Sequence, residues 1–480
     1  MGNKARFHFD IMDVHDEVTG SCHLVIVKFP NGETLKFIVD AGLFQGQRKE
    51  EEEGKNKKDR NYMQFPFYAE DIDFALVTHV HVDHIGRLPF LVKLGFNKAI
   101  YMTNATDMFL PLALMDCDKV LRANAKRNNI SSLYDENDVE DTLKLVKTCN
   151  YDETYYIHKS IKVTFFRNGH LPGAAMILVQ IAYPEYEDIN ILFTGDYNNK
   201  NMFFDIPELP DWVKDLRLTV VQESTYGDMD STEVVSCFAK RVSEEITKHH
   251  TVLAPGLSLG RIQELLYVVK QMQDTGMIPK SVPVYLDGKL AIRYTNLYLK
   301  ELQEEFKEEM CDFLPENLTI VDKELRKELL ESKECKIILT TSGMGSYGPA
   351  QTYIPAYISN KNIMIHFTCY TPPDSTGGIL KNAEEGEVVK IGGIFKKKFA
   401  RVEYTTEFSS HAKADEMIAF LQQFTNLKLV LINHGETETK EIFARRVLEE
   451  VETKEVGTLG EYFFRVGSYG LIKTMTAKFL

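Results

Sequence analysis

The sequence has few of the residues and segments that characterise secreted and membrane proteins. Its 480 residues include only seven cysteines, which lie far apart and form no Cys-x-x-Cys pair. Such spacing favours free thiols in a reducing compartment over a disulfide framework or a structural zinc ribbon. No apolar run approaches the roughly 20 residues of a membrane-spanning helix, and the first residues contain no apolar signal core. We therefore expect a cytoplasmic protein that does not bind membranes.

Positive charge is also scarce. The chain has 56 lysines and arginines against 70 aspartates and glutamates, so its formal net charge is −14. This balance argues against indiscriminate coating of nucleic acid, although bound dications and a local basic strip can still attract phosphate groups. The hydrophobic fraction of 44% is that of a globular protein. A chain of this length is expected to form two or three domains.

One hexapeptide concentrates metal-ligating side chains. The run His79-Val80-His81-Val82-Asp83-His84 follows a short apolar stretch at 74–77. Imidazole nitrogen and carboxylate oxygen both bind zinc, and alternate residues of an extended chain point the same way. His79 and His81 can therefore bind one ion while Asp83 and His84 turn toward a second. A surface loop that is merely rich in histidine is a poorer explanation, because the chain has only 13 histidines.

Further polar side chains follow four predicted strands at 35–39, 162–166, 190–194 and 429–432. The loops after these strands carry, in order, Asp40, His170, Asp196 and His434. Buried strands with functional residues on the loops at their ends predict a layered α/β fold. Any one of these residues alone would be better explained as a turn or hydrogen-bonding residue. Together they add two further histidines and a bridging carboxylate to the three histidines and the aspartate of the hexapeptide.

These motifs resemble those of a known family. The segment 78–89, Thr-His-Val-His-Val-Asp-His-Ile-Gly-Arg-Leu-Pro, resembles the signature of the metallo-β-lactamase superfamily, and Asp40, His170 and Asp196 match the order of its other motifs. Three later elements resemble the β-CASP group of nucleic-acid-processing nucleases: Glu223-Ser224-Thr225-Tyr226-Gly227, Phe408-Ser409-Ser410-His411-Ala412 and Asn433-His434-Gly435-Glu436. The chain looks most like compact bacterial relatives of the eukaryotic pre-mRNA 3′-end cleavage endonuclease.

The resemblance implies both a fold and a metal site. The expected fold is an α/β metallo-β-lactamase αββα sandwich formed by residues 1–206 and 397–480, with an α/β β-CASP cap domain inserted at 207–396. The expected cofactor is a pair of Zn²⁺ ions. Their implied ligands are His79, His81 and His170 for one ion and Asp83, His84 and His434 for the other, with Asp196 bridging both and Asp40 supporting the ligand loop without touching metal.

The resemblance also implies a mechanism, with Asp83, Glu223 and His411 in the catalytic machinery. Two zinc ions can activate a water molecule for attack on a phosphodiester. His411 is the candidate general acid, because a histidine pKa of about 6.5 leaves a protonated fraction near neutrality. Glu223 could accept its other N–H and favour the imidazolium. The alternatives are a capping or ion-pairing carboxylate for Glu223 and a helix N-terminal residue for His411.

The inserted region contains candidate phosphate contacts. A Gly-rich turn at 256–260 precedes a predicted helix at 262–272, where free N–H groups, Ser258 and the guanidinium of Arg261 could contact phosphate. Ser342 and Gly343 belong to a similar small-residue loop. Tight turns explain both segments equally well. The run Lys396-Lys397-Lys398 is either a basic lip near the domain junction or simply a solvated face.

The predicted function is a zinc-dependent ribonuclease with RNA as its partner. The Phe-Ser-Ser-His-Ala form favours endonucleolytic cleavage, since RNase J-like enzymes carry Ser-Gly-His-Ala. His434 favours RNA, because DNA-repair relatives tend to carry valine there. The alternatives are a 5′-exoribonuclease or DNA nuclease of the same family, a small-molecule ester, lactone or cyclic-nucleotide hydrolase, and a non-catalytic scaffold. A homodimer is possible, because relatives often pair.

Overall fold

The described part of the chain forms three large β-sheets and a separate hairpin, with helices between and around them. The computed structural model describes residues 7–14, 18–44, 60–453, 455–459, 463–467 and 470–474. In chain order the strands are β1 (His8–Asp13), β2 (His23–Lys28), β3 (Thr34–Val39), β4 (Phe74–Leu76), β5 (Ile100–Thr103), β6 (Val146–Cys149), β7 (Thr154–His158), β8 (Ile161–Arg167), β9 (Ala175–Ile181), β10 (Ile189–Phe193), β11 (Leu218–Glu223), β12 (Thr251–Pro255), β13 (Val284–Asp287), β14 (Leu318–Ile320), β15 (Ile337–Thr340), β16 (Ile363–Phe367), β17 (Val388–Ile391), β18 (Ile394–Lys397), β19 (Arg401–Tyr404), β20 (Leu427–Asn433), β21 (Glu455–Thr458), β22 (Phe463–Gly467) and β23 (Gly470–Thr474).

The helices pack on the sheets and connect their parallel strands. They are α1 (Val82–Ile85), α2 (Leu88–Lys93), α3 (Asn104–Asn128), α4 (Glu136–Lys144), α5 (Asp211–Lys214), α6 (Phe238–Thr247), α7 (Arg261–Asp274), α8 (Lys289–Glu301), α9 (Lys323–Glu331), α10 (Ala350–Tyr357), α11 (Thr376–Asn382), α12 (Ala414–Gln422) and α13 (Thr437–Glu450). Within the described ranges, none of these helices is both long and apolar enough to span a lipid bilayer.

Two sheets form the predicted sandwich. The first has the strand order β23-β22-β1-β2-β3-β4-β5-β6 and the second the order β21-β20-β11-β10-β9-β8-β7. Alternate residues of a strand face opposite sides of its sheet. In β2, Val25 accordingly lies in the core shared by the two sheets, together with Ile177 of β9. Leu24 instead packs under α3 on the outer face of the first sheet. The outer face of the second sheet is covered by α12 and α13, so the αββα prediction is confirmed.

The inserted domain is built on a third, wholly parallel sheet. Its strand order is β14-β13-β15-β12-β16-β19. Val252 and Leu253 of β12 are both fully buried and lie in different apolar clusters, as expected for a parallel sheet covered on both faces. The cap packs directly on the sandwich, where the ring of Phe109 in α3 lies 5.5 Å from that of Tyr294 in α8.

Sheet membership does not coincide with the predicted domain boundaries. Strand β11 lies inside the predicted insertion at 207–396, yet it pairs with β10 and β20 of the sandwich. Strand β19 follows that insertion, yet it pairs with β16 of the cap. Division by sheets would place the cap between α6 and β19. The boundaries at 207 and 396 remain a prediction, and the chain ends at 1–6 and 475–480 lie outside the described residues.

The sandwich gathers the predicted site residues at one edge. Strands β10, β11 and β20 are parallel neighbours, so their carboxyl ends meet at the same edge, where loops of α/β sheets form binding sites. Asp196 follows β10, Glu223 is the last residue of β11, and His434 follows β20. Strands β3 and β4 are also parallel to each other, and the loops after them carry Asp40 and the hexapeptide.

Candidate metal centre

The seven predicted metal ligands lie together in two adjoining groups. Potential ligand atoms of His79, His81, His170 and Asp196 all lie within 4.8 Å of one another. The same holds for the atoms of a second group, which consists of Asp83, His84 and His434. These residues come from loops spread over some 350 positions of the chain, roughly the separation of His79 and His434. The structure thus brings together the full set that the sequence predicted.

The hexapeptide divides its side chains between the two groups by changing conformation. His79 and His81 precede α1, and His81 has the extended backbone of an N-cap residue. Asp83 and His84 belong to α1 itself and therefore point in another direction. The loop after β3 packs tightly against this helix: a Cβ at Gly42 would lie 1.6 Å from the carbonyl oxygen of Asp83. This close approach explains the glycine in Asp40-Ala41-Gly42.

Asp196 lies between the two groups. Its Oδ2 atom is 3.7 Å from His79 Nε2 and 3.3 Å from His84 Nε2. Its Oδ1 atom is 3.3 Å from His434 Nε2. One buried carboxylate therefore faces imidazole nitrogens of both groups, which is the arrangement that a bridging ligand requires. Burial alone would raise the pKa of Asp196, but the interactions with His434 and His84 outweigh it and hold that pKa well below its usual range.

Hydrogen bonds on the outer side of three histidines fix the direction of their rings. His84 Nδ1 donates to Asp40 Oδ2 over 2.8 Å, and His170 Nδ1 donates to the carbonyl oxygen of Ser410 over 3.0 Å. The Thr225 hydroxyl donates to Glu223 and lies 3.0 Å from His434 Nδ1, from which it can accept. Since Nδ1 of each ring is engaged on the outer side, Nε2 is the nitrogen left to face the centre.

The donor set fits a divalent cation. In the part of the chain that the structure describes, the buried atoms His84 Nε2, His434 Nε2 and Asp196 Oδ1 have no hydrogen-bond partner, although buried polar atoms normally have one. Burial, together with the neighbouring histidines, holds the pKa of His79 and His170 well below the usual value. Neutral imidazoles are the form that binds metal. Nitrogen and carboxylate donors in these numbers suit zinc.

Asp40 supports the ligand loop without belonging to either group. It accepts hydrogen bonds from the backbone N–H and the hydroxyl of Thr78, both over 2.8 Å, as well as from His84. Its backbone has a φ of 64°, a left-handed conformation that few residues other than glycine adopt. The structure therefore gives Asp40 contacts that suit the predicted supporting role, and it adds Thr78 to the same network.

Replacing Asp40 with alanine should weaken metal binding while leaving every ligand in place. His84 would lose the acceptor that fixes its ring, and losses of this kind typically reduce metal affinity about 10–100-fold. Competition between the protein and a chromogenic chelator would measure the change. Asp287→Ala is the matched control, because that buried carboxylate holds Arg326 and Tyr353 in the cap. Equal affinities for the two variants would contradict the supporting role of Asp40.

His411 and Glu223 form a pair beside the candidate centre. His411 Nδ1 lies 3.0 and 3.1 Å from the two carboxylate oxygens of Glu223. The other ring nitrogen, Nε2, lies 3.9 Å from Asp196 Oδ2 and so faces the centre. Burial alone would lower the pKa of His411, but the charge and hydrogen bond of Glu223 more than offset this, and the pKa is raised. An imidazolium at this position could donate a proton toward the space between the groups.

Glu223 is held in place by backbone and side-chain donors. Its carboxylate accepts from the backbone N–H of Tyr197 over 2.9 Å and from the hydroxyl of Thr225 over 2.6 Å. Thr225 thus links Glu223 to His434, a role that the sequence did not reveal although Thr225 lies within a quoted motif. Lys413 is a second residue near the site that the sequence did not indicate. It is buried, and its ammonium lies 3.4 Å from the centre of the Tyr226 ring. Burial lowers the pKa of Lys413 to about 8.

The predicted phosphate contacts lie on adjacent loops of the cap. Gly343 packs against the loop after β12: a Cβ there would lie 3.2 Å from the backbone nitrogen of Leu257 and 2.2 Å from Cys369 Sγ. Ser258 and Ser342 are only partly buried. Arg261 is buried, and it donates to Glu264 over 3.0 Å and to the carbonyl oxygen of Thr368 over 2.5 Å. Its guanidinium therefore ties the start of α7 to the loop after β16, and its contact with phosphate stays a prediction.

Comparison with known families agrees with this architecture. The model of the metallo-β-lactamase superfamily matches residues 16–145, and that of the Beta-Casp domain matches residues 262–380. A third model, described as the Zn-dependent metallo-hydrolase RNA specificity domain, matches residues 399–456. The three matches follow the order sandwich, cap, sandwich along the chain. They confirm the family resemblance that the sequence motifs indicated.

Curated relatives resemble the chain over most of its length. A ribonuclease of Thermus thermophilus is 30% identical over 435 residues, which cover 88% of this chain and 91% of the relative. The transcription termination factor FttA of Methanosarcina mazei is 28% identical over 92% of this chain and 69% of the relative. The endoribonuclease ysh1 of Aspergillus fumigatus is 32% identical over 59% of this chain and 31% of the relative. With the matches of the three family models, these similarities place the chain in the metallo-β-lactamase superfamily, as a metal-dependent hydrolase of the β-CASP group.

Proposed function

We propose that this protein is a zinc-dependent ribonuclease that hydrolyses RNA phosphodiester bonds within the strand. The observation that carries the proposal is the position of the His411–Glu223 pair beside two adjoining groups of metal-ligating residues. Metal-ligating groups alone would suit hydrolysis of many esters. A separate proton donor suits the cleavage of a phosphodiester, whose departing oxygen is a poor leaving group unless it is protonated. The names of two relatives, a ribonuclease and an endoribonuclease, support the RNA substrate and internal cleavage.

The proposed cofactor is two zinc ions per chain. His79, His81 and His170 would hold one ion, Asp83, His84 and His434 the other, and Asp196 would contact both. A bound pair of such ions lowers the pKa of water and neutralises charge that develops on a phosphodiester. Asp40 and the carbonyl oxygen of Ser410 would keep the ligand nitrogens directed inward through the hydrogen bonds described above.

The chain's own residues would then supply the proton that the leaving group needs. His411 Nε2 faces the centre and would donate a proton to the departing oxygen. Glu223 accepts the opposite N–H of the ring and raises the pKa of His411, so that a larger fraction of the histidine is protonated near neutral pH. Thr225 would couple this pair to His434, because its hydroxyl contacts both side chains.

The surroundings of the site support a polymeric substrate. The cap places two small-residue loops, at 256–260 and 341–346, at the carboxyl ends of β12 and β15. We propose that Ser258, Ser342 and Gly343 contact phosphates of the RNA strand there, with Arg261, which ties the start of α7 to the loop after β16, as a further proposed contact. A cap of this size has no evident use for a small ester. A cytoplasmic location is proposed because all seven cysteines are free, and a homodimer remains a prediction.

A side-by-side assay tests the function. We expect the purified protein to cleave a fluorogenic RNA whose 5′ end is blocked, to lose this activity after chelation, and to regain it when zinc is added. Single-stranded DNA and a nitrocefin-like ester should be poorer substrates. Mapping products from 5′-labelled RNAs with a monophosphate or a blocked end separates internal cleavage from 5′ trimming. Turnover of the ester alone would contradict the ribonuclease assignment, and cleavage only of the monophosphorylated RNA would contradict internal cleavage.

A further inference from the structure

The cap carries an exposed face on which lysines alternate with apolar side chains. Strands β17 and β18 form an antiparallel hairpin in which Val388 is paired with Lys397 and Lys390 with Phe395. Directly opposed residues of an antiparallel pair lie on the same face, so these four side chains share one side of the hairpin. Phe395 is 68% exposed and Val388 is 54% exposed. Large apolar side chains this exposed, grouped on one face, are characteristic of a binding surface.

The opposite face of the hairpin is anchored in the cap. Val389 and Ile391 are buried and belong to an apolar cluster that includes Leu380 of α11. An isolated two-stranded hairpin is only marginally stable, and this packing fixes its orientation. The outward direction of Lys390 and Phe395 is therefore set by the alternation of side chains along β17 and β18.

A second lysine–aromatic pair adjoins the hairpin. Helix α11 packs against both β17 and β19, and the ammonium of Lys381 on this helix lies 3.9 Å from the centre of the Tyr404 ring. Tyr404 is 41% exposed. On the hairpin, the ammonium of Lys390 lies 5.8 Å from the centre of the Phe395 ring. We call Val388, Lys390, Phe395 and Lys397 on the hairpin the lysine–aromatic surface. Lys381 and Tyr404 form the flanking pair on α11 and β19.

The positive charge of this region is not balanced by ion pairs. Within the residues that the structure describes, the five lysines of the region form no ion pair with a carboxylate; they are Lys381, Lys390, Lys396, Lys397 and Lys398. The nearest acidic segment in the chain is the turn that carries Glu384, Glu385 and Glu387. There the carboxylate of Glu387 accepts from the backbone N–H of Glu384 over 2.8 Å, so it stabilises the turn.

We propose that the lysine–aromatic surface binds single-stranded RNA outside the cleft. The inference rests on the proposed ribonuclease function and names a second place where that enzyme holds its substrate. Proteins that bind single strands combine positive charge along the backbone with aromatic rings on which bases stack. Five lysines that have no ion-pair partner among the described residues, in a chain with a net charge of −14, favour a polyanion over a protein partner or a second, equally acidic copy of the chain.

The location of the surface suits a strand that continues from the site. Tyr404 is the last residue of β19, and the segment that follows it, 405–411, ends at His411. The surface and the candidate proton donor thus lie on one continuous stretch of chain at the β19 edge of the cap sheet. RNA held by the rings of Tyr404 and Phe395 would be tethered at the end of the segment that enters the catalytic site.

Steady-state kinetics on two RNAs test the proposal. One is a short RNA that fills only the cleft, and the other is a long unstructured RNA with the same cleavage sequence. For the double variant Lys390→Glu/Lys397→Glu and for Phe395→Ala, we expect KM for the long RNA to rise about tenfold or more, as the loss of a stacking or charge contact does elsewhere. For both variants, kcat and all parameters for the short RNA should stay unchanged. The slope of log KM against the logarithm of the salt concentration should fall by about 1.4 for the charge-reversal variant, because each lost phosphate contact reduces this slope by about 0.7.

Matched variants on the sandwich control for charge and exposure. Lys147→Glu on β6 reverses the charge of another exposed lysine, and Tyr156→Ala on β7 removes a ring that is 79% exposed. Both should behave as the unmodified protein on either RNA, and Lys390→Arg/Lys397→Arg should retain the KM of the long RNA.

An unchanged KM and salt slope for the charge-reversal variant would overturn the proposal. A shift from dimer to monomer in sedimentation, with long-RNA binding intact, would overturn it in favour of self-association. Failure of the unmodified protein to cleave the short RNA would instead count against the proposed function.

Discussion

Replacing Asp196 with alanine should abolish RNA cleavage and remove most of the bound metal. The carboxylate of Asp196 lies within 3.3–3.8 Å of ring nitrogens of four histidines that belong to the two groups, namely His79, His84, His170 and His434. Without Asp196, both groups lose the anionic ligand that they share, and its negative charge would no longer balance the positive charge of the bound metal. Metal activation of water contributes several kcal/mol, so kcat should fall by more than about 10³-fold. Metal content per chain and single-turnover cleavage measure the two effects.

Variants of individual histidines would resolve the two groups. His170→Ala should reduce the metal content by one ion through the first group, and His434→Ala by one ion through the second. Asp118→Ala is a suitable control, because this buried carboxylate pairs with Arg122 on α3, outside either group. Full metal occupancy together with an unchanged rate in Asp196→Ala would show that this carboxylate bridges nothing. Loss of both ions in either histidine variant would indicate a single cooperative site.

The proximity of the ligands could be predicted because the signals for it are local. The hexapeptide at 79–84 is visible without any knowledge of the fold, and apolar strands that end in Asp40 or Asp196 mark loops at a sheet edge. Alternation of side chains along a strand follows directly from backbone geometry, so a layered α/β fold follows from the same pattern. Residue type and strand position indicated the candidate ligands, and the family resemblance supplied the αββα sandwich and the assignment of the ligands to two groups.

The hydrogen bonds that orient these ligands could not be read from the sequence in the same way. Ser410 supports His170 through its backbone carbonyl oxygen, and a carbonyl group is common to every residue. Thr225 lies two positions after Glu223, but only the folded chain places its hydroxyl beside His434. Arg261 follows a Gly-rich turn, as a phosphate-binding residue would, yet its donors reach Glu264 and Thr368. Contacts of this kind depend on tertiary packing.

The sheet to which a strand belongs also depends on tertiary packing, and this affects the predicted domain boundaries. Strand β11 pairs with β20, which lies about 200 residues later in the chain. Both strands read as buried apolar segments, and such segments do not indicate which sheet they join. Strand β19 follows the three lysines at 396–398, which lie near the domain junction that the family resemblance implied, but its backbone completes the cap sheet beside β16. Long-range pairing is therefore the part of this fold that only the structure supplies.

Replacing His411 with alanine should slow the chemical step while the metal content stays normal. His411 Nε2 faces Asp196 at 3.9 Å, and its Nδ1 is held by Glu223. Because these three residues also lie close enough together to hold a metal ion, the metal content of the variant distinguishes the proposed proton donor from a ligand. A positioned general acid contributes roughly 10²–10⁴-fold. Single-turnover rates and metal analysis of the same preparation give both quantities. Loss of metal in this variant would indicate that His411 is a metal ligand and not the general acid.

The pH dependence of cleavage provides a second test of the same pair. A general acid must be protonated, so activity should fall as the pH rises through the raised pKa of His411. In Glu223→Gln the amide oxygen can still accept the Nδ1–H, but the negative charge is gone. The pKa of His411 should then be lower, and the loss of activity should begin at lower pH. If activity were lost at the same pH in Glu223→Gln as in the unmodified protein, Glu223 would serve only to hold the loop.

A substrate that needs no proton donor would isolate the role of His411. When the leaving oxygen of the RNA is replaced by sulfur, the departing thiolate is stable without protonation, because thiols have a pKa of about 8.5. The defect of His411→Ala should therefore largely disappear on this RNA, whereas that of Asp196→Ala should persist. Added imidazole should also restore part of the activity of His411→Ala on normal RNA, since an imidazolium ion can occupy the place of the missing ring and donate the proton. If the sulfur-substituted RNA were cleaved as slowly as normal RNA, His411 would act by positioning the substrate and not by donating a proton.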